Sequence, residues 1–197
     1  MKSQQIQDGS LKKALRIGVS LTMETDSIMK RKLVAACFLL AGATANTTFG
    51  ASVTGAIGAT SQGQLTERIG IESQWNKPVW GENLSGYWDL GLTNWEKGDK
   101  ASQRQSISFA PVFVYTFKGE NVSPYVEAGI GVGVFNGTTV GDRNIGSSVH
   151  FEDRIGFGLK FKDDSKVGVR AIHYSNAGIK QPNAGIESFS VFYTQPF

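Results

Sequence analysis

Beyond residue 45 the chain alternates apolar and polar positions with a period of two, in segments separated by glycine-rich or polar turns. Side chains on a β-strand alternate faces at that period, so each segment predicts a strand with one apolar face. The first runs near 49–59, with Phe49, Ala51, Val53 and Ile57 on one side. The second, near 65–75, sets Leu65, Ile69, Ile71 and Trp75 against Thr66, Arg68, Glu72 and Gln74. The third, near 84–95, sets Leu84, Trp88, Leu90 and Leu92 against Tyr87, Asp89 and Thr93. The fourth, near 105–117, gathers Ile107, Phe109, Pro111, Phe113, Tyr115 and Phe117 on one face. In the fifth, near 124–135, Val126, Ile130, Val132 and Val134 oppose Tyr125, Glu127 and glycines. A glycine- and threonine-rich loop is expected from Asn136 to Ser147. The sixth, near 149–161, sets Val149, Phe151, Ile155, Phe157, Leu159 and Phe161 against His150, Glu152 and Arg154. The turn Asp163-Asp164-Ser165 leads to the last two strands. Their odd positions are Val167, Val169, Ala171, His173 and Ser175, then Glu187, Phe189, Val191, Tyr193, Gln195 and Phe197.

Eight such segments of about ten residues predict an all-β fold, an eight-stranded antiparallel transmembrane β-barrel. No stretch beyond residue 45 has the ~20 apolar residues that a membrane-spanning helix takes. The minority faces collect Arg68, Glu72, Asp89, Glu127, Glu152, Arg154 and Arg170. In hydrocarbon those charges would be costly, whereas in a narrow lumen they can pair. The soluble alternative is a β-sandwich or lipocalin-like barrel, which would need every apolar face to be interior.

The first 45 residues differ in kind. Met29-Lys30-Arg31-Lys32 is a positive n-region, Leu33 to Gly42 a short apolar core, and Ala43-Thr44-Ala45 a small-x-small cleavage site. This predicts a secretory signal peptide over 29–45, a barrel over 46–197, and an upstream extension over 1–28 that leaves the start at Met1 or Met29 open. Cleavage would remove Cys37, the single cysteine, and with it any disulfide or thiol metal site. The leader also carries the basic excess: it holds 7 of the 20 Lys/Arg and 3 of the 17 Asp/Glu, leaving 13 against 14. A near-neutral mature chain argues against a nucleic-acid partner.

Candidate chemistry lies in the last two strands. His173 and Ser175 share a face with an apolar run, and Glu187 heads the apolar row of the next strand. Residues two apart on a strand are ~6.5–7 Å apart at Cα. A directly opposed residue has its Cβ ~4.5–5.5 Å away. With both termini at the periplasmic end, all three residues fall at the outer end of their strands on the lipid-facing side. His173 could then act as base for a Ser175 nucleophile, with Glu187 fixing the imidazole tautomer. Girdle residues at the headgroup boundary are the bland alternative. Asp153, in the sixth strand, would face outward near Ser175.

The segment RAIHYSNAGIKQPNAGIESFSVFYTQPF resembles the C-terminal signature of PagL-type lipid A 3-O-deacylases: H-x-S-N, a polar loop with P-N-x-G, a glutamate and a terminal Phe. The resemblance lies mainly in residues 149–197. It implies an esterase of the bacterial outer membrane that removes the 3-O-linked 3-hydroxyacyl chain of lipid A, with no cofactor and no metal. By position it assigns Ser175 as nucleophile, His173 as general base and acid, and Glu187 as triad acid. Asn176, Asn183 and Gly185 flank the site, with Asn183 or the Pro182–Gly185 backbone as oxyanion donor, and Phe151 as an acyl contact. The implied partner is lipopolysaccharide; separately, Phe189, Val191, Tyr193 and Phe197 at alternate positions resemble the end of outer-membrane barrels, which the barrel insertion machinery reads, and a homodimer is left open. The competing readings are a non-enzymatic barrel, adhesive or structural, and another enzyme acting on lipid A acyl chains.

Overall fold

The computed structural model describes residues 50–197. The expected extension, signal peptide and Phe49 lie outside the described residues. Within them the chain forms β1 (Ala51–Ala59), β2 (Leu65–Gln74), β3 (Leu84–Trp95), β4 (Arg104–Thr116), β5 (Val122–Phe135), β6 (Thr139–Val140), β7 (Arg143–Asn144), β8 (Val149–Phe161), β9 (Lys166–Ser175) and β10 (Ile186–Pro196). Eight of them close in the order β1-β10-β9-β8-β5-β4-β3-β2, every neighbour antiparallel. Each matches one of the eight predicted segments. Closure pairs the backbone polar groups of the first and last strands, which an open sheet would leave as edges.

The period-two pattern now has two surfaces. Ile71, Trp88, Leu90, Phe109, Phe113, Val132, Phe157 and Val191 project outward and are exposed, forming an apolar outer wall. Inside, four cations meet four anions. Asp89 accepts from Arg154 at 2.7 Å and also pairs with Arg68. Glu152 accepts from Arg154 at 2.6 Å, Glu127 from Arg170 at 2.5 Å, and Glu72 from Lys166 at 2.5 Å. Lys166 is the member that the faces drawn from sequence omitted; it sits at the start of β9 and balances the set. Glycines leave space for these side chains: a Cβ on Gly91 would lie 1.3 Å from Arg68 Nη1.

Two apolar clusters share the lumen with the charged groups. Tyr87, Val112, Val114, Tyr125 and Phe192 fill one part of the lumen. Trp95, Phe135, Ile145, Ile172, Tyr174 and Ile186 fill the end where the longer loops gather.

The expected loop after β5 is not irregular throughout. β6 and β7 pair Thr139 with Asn144 and Val140 with Arg143, closing a hairpin on Gly141-Asp142. Gly141 takes φ +56°, the conformation a two-residue turn asks of glycine at its first central position. Asp142 then ties the hairpin to two other loops. Its carboxylate accepts from Gln64 Nε2 at 2.9 Å, and from the amides of Asp99 at 2.6 Å and Lys100 at 3.1 Å.

Asp89→Ala removes the carboxylate shared by two buried guanidinium groups. Breaking a buried pair from one side costs about 3–5 kcal/mol. The variant is expected to lose its compact, fast-migrating band on unheated SDS gels at a clearly lower temperature than the parent chain.

Candidate active site

The sheet register sets the site. β9 lies between β8 and β10, and His173 pairs with Asp153 on one side and Glu187 on the other. Ser175, one outward position further along, pairs with Phe151. Asp153 faces outward near Ser175, as expected, and the register places it directly across from His173, because the turn after β8 aligns Lys160 with Lys166.

Parity decides which way these groups point. Ile172 and Tyr174 are buried in the lumen, as are Ile186 and Ser188, so His173, Ser175 and Glu187 emerge on the outer face. The His173 side chain is 47% exposed and that of Glu187 16%. Glu187 Oε2 lies 3.8 Å from His173 Nδ1. That is ion-pair reach rather than a formed hydrogen bond. Asp153 makes no such approach to His173 among the described residues. The Cε1–Nε2 edge of the imidazole meets Gly185, which has φ +62°. A Cβ there would fall 2.7 Å from His173 Cε1 and 3.2 Å from Nε2. The close approach of backbone to ring therefore needs glycine twice over, for conformation and for space.

Tyr174 anchors this part of β9 from within. It pairs with Glu152 across the sheet and its hydroxyl donates to that carboxylate at 2.6 Å. Glu152 is in turn held by Arg154. A flip of the strand would drag this phenol out of the lumen, so the residues on either side of it are fixed outward.

The loop from 176 to 185 is built on Asn176. Its Nδ2 donates to the carbonyls of Lys180 at 2.8 Å and Ile145 at 3.3 Å, and to Ser147 Oγ at 3.3 Å. Its Oδ1 accepts from the Gly178 amide at 3.0 Å. The Asn176 N–H donates to Asn183 Oδ1 at 3.1 Å. Asn176 is thus buried and occupied with the loop, while Asn183 keeps its own Nδ2 as a donor. The sequence reading has both asparagines flanking the site and only Asn183 as a donor; the hydrogen bonds add that Asn176 holds the loop together.

Below the polar row runs an apolar groove of about 590 Å³. Its floor includes Ala171, which pairs with Ile155 on one side and Phe189 on the other. A small residue between two large ones opens a furrow leading directly from His173.

Sequence reasoning missed Arg143. Its Nη2 lies 3.5 Å from Glu187 Oε1, the oxygen that does not face His173. The signal was the Gly-Asp pair in TVGDRN, a two-residue hairpin turn inside a segment read as loop.

Known proteins resemble this chain over most of the described barrel. A sequence model of the family Lipid A 3-O-deacylase (PagL) matches residues 63–195. The Lipid A deacylase PagL of Pseudomonas aeruginosa is 58% identical over 149 residues, covering 74% of this chain and 86% of that protein. The Lipid A deacylase PagL of Bordetella bronchiseptica is 35% identical over 128 residues, 60% of this chain and 70% of its own length. The crystal structure of the outer membrane enzyme PagL superposes with a TM-score of 0.72 at 56% identity, covering 74% of this chain and 99% of that one. Sequence, barrel topology and superposition agree: this chain belongs to the lipid A 3-O-deacylase (PagL) family.

Proposed function

We propose that this protein is an outer-membrane esterase that hydrolyses the 3-O-linked 3-hydroxyacyl chain of lipid A, using Ser175, His173 and Glu187 on the lipid-facing wall of the barrel. The observation that carries the reading is the cross-strand row: a carboxylate opposite an imidazole, with a hydroxyl one outward position further on. His173 Nδ1 faces Glu187, which leaves Nε2 to take the Ser175 proton. The serine oxygen then attacks the ester carbonyl, and the protonated imidazole returns its proton to the leaving 3-hydroxyl of the sugar. Water repeats the cycle on the acyl-enzyme and releases the fatty acid.

An ester in a bilayer lies near the headgroup boundary, with its chain extending toward the bilayer centre. The polar row lies at the loop-rich end of the wall and the furrow over Ala171 descends from it, so a chain could lie along β9 while its ester reaches Ser175. Phe151, opposite Ser175, would contact that chain. Developing negative charge on the carbonyl oxygen needs a donor, and Asn183 Nδ2 or the Gly185 amide would serve. Asn176 supports the loop that carries both. Phe197, whose amide donates to the Ala51 carbonyl at 3.1 Å, would present the terminal aromatic to the insertion machinery.

Lipid A from cells expressing the parent chain is expected to lose the mass of one 3-hydroxyacyl group. Ser175→Ala and His173→Ala should abolish that loss, and Glu187→Ala should slow it without abolishing it, since an orienting group is partly dispensable. Unchanged lipid A with a folded, inserted parent chain would rule out the activity. Loss of a chain with Ser175→Ala would rule out the nucleophile. Gly185→Ala is expected to lower the rate by about tenfold or more, because displacing a catalytic group by ~1 Å costs as much as 100-fold. A rate equal to the parent's would show that the imidazole does not need that space.

A further inference from the structure

We propose that Arg143 is a positioning residue for the triad carboxylate, a role that rests on Glu187 orienting His173. The guanidinium occupies a junction of three segments. Nη1 donates to the Ala184 carbonyl at 3.0 Å, in the loop between β9 and β10. Nη2 donates to Ser61 Oγ at 3.0 Å, in the loop between β1 and β2. The same Nη2 lies 3.5 Å from Glu187 Oε1.

The division of the carboxylate is what assigns the role. Oε1 faces Arg143 and Oε2 faces His173 Nδ1. A glutamate with three rotatable torsions would otherwise sample several orientations at the rim of the barrel. Arg143 holds one oxygen and thereby aims the other. Its planar fork is already fixed by the two neutral acceptors, so little further entropy is lost in holding the third. The pair is partly shielded, with side chains 28% and 16% exposed, so solvent screens it less than a free surface pair. The hairpin that carries Arg143 is latched independently by Asp142, which touches Gln64, Asp99 and Lys100 but none of the triad. Loosening the hairpin and releasing the carboxylate can therefore be separated by mutation.

The test is the steady-state hydrolysis of lipid A in detergent micelles by purified full-length variants, each checked for the compact band on unheated gels. Arg143→Ala is expected to lower kcat about tenfold with KM within about twofold of the parent, the signature of lost transition-state positioning. Arg143→Lys, which keeps the charge, should recover kcat to within about threefold of the parent. Asp142→Ala should leave kcat within about twofold, and Arg143→Ala added to Glu187→Ala should cost nothing more, since the two act through one contact. An unchanged kcat in Arg143→Ala would overturn the proposal. So would equal losses in Arg143→Ala and Asp142→Ala, or a further loss in the double variant. Ser175→Ala separates the two levels. If it is inactive while Arg143→Ala is unaffected, only the positioning role fails; if it is active, the triad reading fails and the role with it.

Discussion

The structure depends on a charge balance sealed inside a closed sheet. Arg68, Arg154, Lys166 and Arg170 meet Glu72, Asp89, Glu127 and Glu152 in a lumen with almost no solvent contact. None of these could face hydrocarbon cheaply, and none could be buried unpaired. Pairing them fixes which half of each strand looks inward, and closure carries that choice around the whole barrel. The outer face is then left to the other parity, which is apolar nearly everywhere.

The site is where that apolar parity is broken. Tyr174 belongs to the inward set and is bound to Glu152, so His173 and Ser175 are forced to the wall. Glu187 arrives opposite His173 because the eighth barrel strand shares the same constraint. The polar row is thus a consequence of the lumen network rather than of loops folding over a pocket. The loops contribute differently. Asn176 shapes the 176–185 segment, Gly185 lets its backbone approach the imidazole, and the β6–β7 hairpin brings a guanidinium to the far side of the carboxylate.

Much of this was legible in the sequence, for a physical reason. A period of two is set by the pleat, and antiparallel neighbours follow from short turns, so counting strands gave the barrel and the faces of His173, Ser175 and Glu187. Taking the polar loop between the last two strands as roughly symmetric also brought Glu187 nearly opposite His173, as the register has it. Strand counting set Asp153 outward near Ser175, but its place directly across from His173 depends on how the Asp163 turn is bonded. Lys166 was overlooked because it stands at a strand end, where alternation is weakest. Arg143 was out of reach, since it acts through contacts between loops far apart in the chain, and so was the work of Asn176, which depends on how its own loop folds back and meets Ile145 and Ser147. The Gly141-Asp142 turn alone left a trace, in residue types suited to a tight hairpin.

The central claim is that the nucleophile opens onto the membrane rather than the lumen. Labelling in proteoliposomes tests it most directly, using a fluorophosphonate carried on a long alkyl chain and a short, charged analogue. Peptide mass spectrometry should find the alkyl probe on Ser175, with little reaction of the charged one and none in His173→Ala. Labelling of another residue in an active enzyme, or preference for the charged probe, would contradict the account.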